Sequence, residues 1–267
     1  MNDFDMIIHK MYGGHDITII PIADVHLGSE ECMAERFEQF VNYVKDTPNV
    51  YVTLGGDLID NGTKNSVTDV YRALIPPHIQ KREMARLLEP IRDRLLCAVS
   101  GNHERRSSSG KGGVDDDPTY DILCKLDRED IYRENIAVMK IQLGVEDHNY
   151  NGSYRPTYSI VVTHGTGGGY LSGTAVSRGQ RFGYMFSGNM DALILGHTHQ
   201  PWNIKHKRIR IDTHTNKVTA ESFVVLCATS WLEYSGYPVQ KMLYPSAFAE
   251  QAMILSGKNK EITIQTR

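Results

Sequence analysis

Short apolar runs that end in polar, metal-binding side chains recur along this chain, and they constrain its fold more than any other feature. The runs lead into "ADVHLG" (23–28), "GGDLID" (55–60), "SGNHE" (100–104), "THG" (163–165) and "GHTH" (196–199). Apolar runs of this length, rich in β-branched residues, predict buried strands. Because sites in α/β sheets form outside the carboxyl ends of strands, the five segments are predicted to meet at one place.

Strands and helices alternate in the first half of the chain, and strands dominate the second half. Strands are predicted at 16–24, 50–57, 94–103, 137–144, 157–165 and 191–199. Helices are predicted at 32–46, at 78–93 and after the N-cap residue Asp117. Two hairpins are predicted around "THTNK" and "GKNK". This order predicts a single domain over 1–267 with two sheets, mixed or antiparallel in places, and helices outside them.

Charge and composition exclude some classes of protein. The formal net charge is −3, so the chain as a whole is not a basic nucleic-acid clamp. Hydrophobic residues make up 40% of the 267 residues, enough for a sizeable core. The N-terminal segment has neither a signal-peptide pattern nor an apolar run long enough to span a membrane.

The cysteine pattern argues against a zinc knuckle and favours reduced thiols. The four cysteines are far apart and form no CxxC pair, at Cys32, Cys97, Cys124 and Cys227. We interpret them as buried thiols of a cytoplasmic protein.

The spacing of the polar residues indicates a metal site. Asp24 and His26 are two residues apart, as are His197 and His199. In an extended chain, residues two apart point the same way, so each pair is predicted to hold one site. Carboxylate, imidazole and amide donors favour Zn, Mn or Fe over an all-oxygen calcium cage. The six histidines outside the five segments are interpreted as ordinary core or surface residues.

The order DxH, GD, GNH[DE], H, GHxH resembles that of the calcineurin-like metallophosphoesterases, and here it reads "DVH", "GD", "GNHE", "HG" and "GHTH". The chain also looks like phage- or prophage-encoded members of that superfamily. The resemblance implies a four-layer αββα fold, a two-sheet β-sandwich flanked by helices. It also implies two divalent metal ions, with Mn favoured and Fe, Zn, Ni or Mg as alternatives.

The resemblance also assigns the ligands. The first metal takes Asp24, His26, Asp57 and His199, and the second takes Asp57, Asn102, His164 and His197, so that Asp57 bridges the two. His103 lies beside the cluster without ligating it, and Glu104 is interpreted as structural.

The implied reaction is hydrolysis of a phosphate ester by attack of a metal-bound hydroxide on phosphorus. His103 would act near the leaving oxygen as a general acid or hydrogen-bond donor. Asp60 is interpreted as the partner of His103, because an acid stands at that place in the phosphoprotein phosphatase branch. The alternative is that Asp60 caps a turn near "DNG".

Three arginines are candidates for phosphate binding, since a guanidinium group matches phosphate oxygens with paired donors. They are Arg105, Arg106 and Arg178. The alternative for each is a solvated charge. The segments 105–117 and 165–173 are interpreted as loops near the site, and whether they act as lids stays open.

Departures from known branches narrow the function. Phosphoprotein phosphatases carry an arginine where this chain has Asn61, and purple acid phosphatases need a tyrosine where it has Asp60. "DVHLG" looks like the first motif of the DNA-repair nucleases, but only 68 residues follow His199, which leaves little room for their extra domain. These departures favour a phosphodiesterase, either a compact nuclease or one for small molecules. A phosphomonoesterase is the alternative, and a non-catalytic metal-binding scaffold is a distant one.

Nucleic acid remains one of the candidate partners. Alternation along "KHKRIR" (205–210) would put Lys205, Lys207 and Arg210 near the mouth of the site. The alternative is a solvated strand edge that lysine protects from aggregation. No membrane partner is expected, and the sequence does not indicate an oligomeric state.

Overall fold

The strands and helices of the chain follow the predicted order. The computed structural model describes residues 3–62, 73–107, 116–144, 155–167, 172–186, 188–240, 242 and 244–267. The strands are β1 (Ile7–Met11), β2 (Ile17–Ile22), β3 (Val50–Leu54), β4 (Leu95–Val99), β5 (Tyr132–Arg133), β6 (Ile136–Leu143), β7 (Thr157–Thr163), β8 (Ala192–Leu195), β9 (Trp202–Asp212), β10 (Lys217–Cys227), β11 (Gln251–Leu255) and β12 (Ile262–Thr266). The helices are α1 (Ala34–Asp46), α2 (Pro77–Leu88), α3 (Pro118–Lys125), α4 (Ser172–Met185) and α5 (Tyr237–Gln240).

Two mixed sheets of six strands form the centre of the fold. One has the order β1-β6-β7-β8-β10-β9 and the other β12-β11-β2-β3-β4-β5. One core joins residues of both sheets, and the helices lie outside them, as in the αββα arrangement. The predicted fold class is therefore confirmed.

Parallel pairing brings the metal-binding segments to one edge of each sheet. β2, β3 and β4 are parallel neighbours, so segments 23–28, 55–60 and 100–104 leave their sheet at the same end. In the other sheet β7 is parallel to β8, so segments 163–165 and 196–199 also leave together. This topology explains why residues far apart in the sequence meet.

Helix α1 buries the apolar residues whose helical spacing predicted it. Its buried side chains are the predicted Phe37, Phe40, Val41 and Val44. Phe37 and Phe40 contact the fully buried Trp231, with ring centroids 5.1 and 5.0 Å away. The helical spacing of apolar residues therefore positions α1 against the loop that follows β10.

Most predicted elements are present with shorter bounds, and both predicted hairpins are confirmed by the pairing of β9 with β10 and of β11 with β12. Asp117 accepts hydrogen bonds from the backbone N–H groups of Thr119 and Tyr120, so it caps α3 as predicted. Four elements were not predicted, namely β1, α4 and the short β5 and α5. Helix α4 contains Gly173, Gly179 and Gly183, which lower its helix propensity.

Some further expectations can be compared with the structure. Cys97 and Cys227 are buried, but Cys124 is exposed, so the expectation of a buried thiol is wrong there. The loop predicted at 105–117 falls partly outside the described residues, since 108–115 are not described, and 168–171 of the segment 165–173 are not described either. Among the described helices, none is both long and apolar enough to cross a membrane.

Candidate metal centre

The predicted ligands lie in tight loops after the strands and not in the strands themselves. Five of them have left-handed backbone conformations, with φ of 54° at Asp24, 48° at His26, 51° at Asp57, 69° at His197 and 54° at His199. The prediction that each pair converges through extended-chain alternation is therefore wrong. Non-glycine residues in this region cost roughly 1–3 kcal/mol each, and such strain is common at functional sites.

The first cluster joins Asp24, His26 and His199. Nε2 of His199 lies 3.2 Å from Oδ1 of Asp24, and Nε2 of His26 lies 3.2 Å from Nε2 of His199. Nε2 of His26 is 4.0 Å from Oδ1 of Asp24. Three donor atoms from two sheets therefore face one point.

The second cluster joins Asp57, Asn102, His164 and His197. Oδ1 of Asn102 lies 3.0 Å from Nε2 of His164 and 2.7 Å from Nδ1 of His197. The same two nitrogens are 3.2 Å apart, and Oδ2 of Asp57 is 3.3 Å from Nε2 of His164. The donor set is the one that the resemblance implied for the second metal.

Asp57 lies between the two clusters. Its Oδ2 is 3.3 Å from Nε2 of His164 in the second cluster and 3.8 Å from Nε2 of His26 in the first. Its Oδ1 accepts a 2.8 Å hydrogen bond from the backbone N–H of His103. That bond holds the carboxylate in place and leaves Oδ2 facing both clusters.

Hydrogen bonds from outside the clusters orient several donors. His164 donates from Nδ1 to the carbonyl oxygen of Gly55 at 2.8 Å, which leaves Nε2 facing Asp57. The Asp24 carboxylate accepts from the backbone N–H of His197, at 3.1 Å to Oδ1 and 2.9 Å to Oδ2. Partners of this kind fix the orientation of metal ligands.

The charges of the clusters shift the pKa values of their members in the metal-free protein. Burial alone would raise the pKa of Asp57, but the imidazoles of His164, His103 and His26 hold it well below its ordinary value. Burial opposes a charge on His164, yet the Asp57 carboxylate and further groups raise its pKa to about 9. Burial and the neighbouring His103 lower the pKa of His26 well below its ordinary value.

The residues present fit two divalent cations. Ligand atoms about 2.1 Å from one ion lie roughly 3.0–3.4 Å apart in octahedral or tetrahedral geometry. The imidazole nitrogens within each cluster are 3.2 Å apart, which lies within that range. Asp24, Asp57 and His164 are almost fully buried, and buried charges of this kind are normally paired or coordinate metals.

Two glycines let the loops of the two clusters interlock. A Cβ atom at Gly101 would lie 2.1 Å from Oδ1 of Asp57, and one at Gly56 would lie 2.5 Å from the backbone nitrogen of Gly101. Gly56 also has a φ of 88°. A side chain at Gly101 would displace Asp57, and one at Gly56 would displace the backbone of Gly101.

Glu104 ties the same loops together with its carboxylate. It accepts hydrogen bonds from the backbone N–H groups of Asp57 (2.9 Å), Leu58 (2.7 Å), Ile59 (3.3 Å) and Gly101 (2.9 Å). The Glu104 side chain is buried. These four bonds go to backbone N–H groups and not to the donor atoms of the clusters. This geometry agrees with the interpretation of Glu104 as a structural residue.

His103 lies at the border of the first cluster. Its Nδ1 is 2.7 Å from the carbonyl oxygen of Asp60 and 3.4 Å from Oδ1 of the same residue. Arg106 donates to Nε2 of His103 at 2.7 Å and to the Asp60 carbonyl oxygen at 3.0 Å. Because a guanidinium group only donates, Nε2 accepts and Nδ1 carries the proton in this arrangement. The backbone of Asp60 therefore holds the ring more closely than its carboxylate does.

In the sequence, Asn61 is notable only because phosphoprotein phosphatases carry an arginine at its position. It is buried, and its side-chain amide donates to the carbonyl oxygen of His103 at 2.8 Å and to Oγ of Ser107 at 2.8 Å. Its backbone N–H donates to Oε1 of Gln80 at 2.9 Å. Asn61 thus holds the turn that carries His103 in place. Only the tertiary structure reveals this role.

Arg105 and Arg178 lie on the other side of the clusters, apart from Arg106. Both line a cavity of about 550 Å³ that Gly165 and Gly196, the neighbours of His164 and His197, also line. Arg105 donates to the carbonyl oxygen of Ser100 at 3.1 Å. The three predicted arginines therefore flank the site on two sides.

The residues of "KHKRIR" lie away from the site, so the prediction that they line its mouth is wrong. β9 begins next to the site, where Trp202 is opposite Cys227. Lys205 is three residues further along, roughly 10 Å at the rise of a β-strand, and Lys207 and Arg210 are further still. Alternation predicts which face a side chain takes, but not its distance from the site.

One protein-family model matches more than half of the chain. The model of the family described as calcineurin-like phosphoesterase matches residues 17–201. A search of curated proteins found no significant match. Among solved structures, a metallophosphoesterase from Sphaerobacter thermophilus is similar, with 12% identity, a TM-score of 0.42, and coverage of 94% of this chain and 88% of that one.

A second structure, a conserved uncharacterized protein from Streptococcus pneumoniae described as a phosphoesterase by prediction, has 13% identity and a TM-score of 0.36. The alignment covers 94% of this chain and 98% of that one. These scores are too low to support an argument about activity. The family match spans the loops of both donor clusters and more than half of the sequence, and on that ground the chain belongs to the calcineurin-like phosphoesterase family.

Proposed function

We propose that this protein hydrolyses phosphodiesters with the help of two divalent metal ions, with Mn favoured and Fe, Zn, Ni or Mg as alternatives. The observation that carries the proposal is the pair of donor clusters that share Oδ2 of Asp57. When bound, two divalent ions would lower the pKa of water and neutralise negative charge on the phosphoryl oxygens. In the overall reaction the water oxygen bonds to phosphorus, one P–O ester bond breaks, and the leaving oxygen receives a proton.

The protein's own residues would hold and orient these participants. Asp24, His26, Asp57 and His199 are the proposed ligands of one ion, and Asp57, Asn102, His164 and His197 of the other. His103 is the proposed proton donor to the leaving oxygen. For this role Nε2 of His103 must carry a proton, so the hydrogen bond that Arg106 donates to Nε2 must break. The guanidinium group of Arg106 would then donate to a phosphoryl oxygen in place of His103.

Two features support a diester over a monoester. The position where phosphoprotein phosphatases carry a phosphate-binding arginine holds Asn61, which is buried and bonded to the His103 loop. The cavity beside Gly165 and Gly196 offers room for a second ester substituent. A compact nuclease and a phosphodiesterase for small molecules both fit these features, and DNA and RNA oligomers would distinguish them.

The test is hydrolysis of a bis-aryl phosphodiester and of the matching monoester, side by side with Mn²⁺. We expect metal-dependent turnover with higher kcat/KM for the diester. A higher kcat/KM for the monoester would favour the phosphatase alternative. Loss of turnover when a chelator removes the metal is the control for both substrates.

Metal binding can be tested without turnover. We expect the purified protein to contain close to two metal ions per chain, and Mn²⁺ to raise the Tm of the metal-free protein because ligands that bind only the folded state stabilise it. The measurements are elemental analysis and thermal unfolding with and without Mn²⁺. A protein without bound metal and without a shift in Tm would instead support the scaffold alternative.

Asp60→Asn tests the proposed partnership of Asp60 with His103. The backbone carbonyl still holds the ring in this variant, so we expect only the charge of the carboxylate to be lost. The predicted result is a fall in kcat of about tenfold with little change in KM, whereas His103→Ala should lose the roughly 10²–10⁴-fold of a proton donor. Unchanged kcat in Asp60→Asn would leave Asp60 as a turn residue.

A further inference from the structure

We propose that the cavity beside the second cluster binds a planar aromatic group of the substrate, such as the base of a nucleotide whose phosphate lies towards the clusters. We call it the α4 cavity, because residues of α4 form one wall. Its lining includes Arg105, Arg178, Arg181, Phe182, Leu195 and Trp202. This inference rests on the proposed function. It states which chemical group is attached to the second ester oxygen of the phosphodiester.

The α4 cavity lies next to the second cluster. Gly165, Gly196 and Thr198 line it, and each is the immediate neighbour of a proposed ligand. At about 550 Å³ it falls within the range of ligand pockets, roughly 300–1,000 Å³. A phosphate at the clusters would therefore have its ester substituent next to the cavity opening.

The lining of the α4 cavity suits an aromatic group. Trp202 and Phe182 contribute rings, and Leu195 and Ile136 contribute aliphatic surface. The Trp202 ring lies against α4 at Gly179, where an added Cβ atom would be 2.4 Å from the indole. Gly179 thus brings α4 close to the indole, and stacking on such rings accepts any planar base.

The charge of the α4 cavity suits an anion. Three arginines line it, Arg105, Arg178 and Arg181, and both α4 arginines are exposed. Among the described residues that line it, none is acidic. Guanidinium groups beside an aromatic floor are complementary to a base linked to phosphate.

Binding can be measured without catalysis through tryptophan fluorescence. The chain has two tryptophans, and Trp231 is fully buried against Phe37 and Phe40, away from the α4 cavity. We expect thymidine 5′-monophosphate to quench the metal-free protein saturably, and the quench to disappear in Trp202→Phe. Arg178→Ala should weaken binding about tenfold, whereas Arg82→Ala, an exposed arginine of α2, should not change it.

Specificity can be measured with two substrates that share one leaving group. We expect kcat/KM for the 4-nitrophenyl ester of thymidine 5′-monophosphate to exceed that for methyl 4-nitrophenyl phosphate by at least about tenfold. The ratio should fall towards one in Trp202→Ala and in Arg178→Ala, whose exposed position carries little risk to folding. It should stay unchanged in Arg82→Ala.

The outcomes separate this inference from the proposed function. Equal kcat/KM for both substrates, or no quench by the nucleotide at millimolar concentration, would overturn the assignment of the α4 cavity while metal-dependent hydrolysis still stood. Quenching that depends on Trp202 and Arg178, with no hydrolysis of either ester, would support the cavity assignment and contradict the phosphodiesterase proposal.

Discussion

Asp57→Asn should lower kcat/KM for the phosphodiester by more than about 100-fold and reduce the bound metal below two ions per chain. Loss of a residue that merely orients a metal ligand costs roughly 10–100-fold, and Asp57 is a proposed ligand of both ions. Its Oδ2 faces His164 at 3.3 Å and His26 at 3.8 Å, so no other described carboxylate oxygen is placed to serve both clusters in the same way. The measurements are steady-state kinetics and elemental analysis on the same preparation.

The fold should survive this change. Asparagine keeps an oxygen that can accept the hydrogen bond from the His103 backbone N–H, and the change adds no volume. Asp93→Asn is the matched control, since it removes the same charge from a side chain that is 87% exposed. We expect the control to keep wild-type activity. Activity of Asp57→Asn within about threefold of wild type would contradict the two-metal proposal.

The sequence predicts that the donor segments meet, but not how the backbone delivers them. Alternation of strands and helices predicts parallel neighbours, and parallel neighbours release their loops at the same edge. The left-handed conformations at Asp24 (φ 54°) and His197 (φ 69°) depend on hydrogen bonds from other loops, such as that from the His197 backbone N–H to Asp24. Local propensity disfavours these conformations, so no local rule predicts them.

Two of the elements missed in the sequence, β1 and α4, share a physical cause. β1 alternates buried and exposed residues over only five positions, and α4 carries three glycines, so neither has a strong local signal. Tertiary contacts stabilise them instead. Phe182 of α4 packs against a buried cluster of the sheet that includes Val225 and Leu193. The α4 cavity could not be foreseen for the same reason.

Glu104→Gln should be the most destabilising single change near the site outside the proposed ligands. The Glu104 carboxylate accepts from four backbone N–H groups of two loops, and one of these comes from Asp57. A glutamine amide offers one oxygen, and its NH₂ group would face donors that it cannot satisfy. Leaving buried donors without partners costs about 1–3 kcal/mol each.

We therefore expect a loss of roughly 3 kcal/mol in the free energy of unfolding, or about 6–12 °C in Tm for a chain of this size. Because the same bonds fix the Asp57 loop, the affinity for Mn²⁺ should also fall, by roughly 10–100-fold. Glu83→Gln is the matched control, since its carboxylate is partly exposed on α2 and bonds only to Arg86 among the described partners. A drop in Tm no larger in Glu104→Gln than in this control would show that the four bonds do not hold the metal loops together.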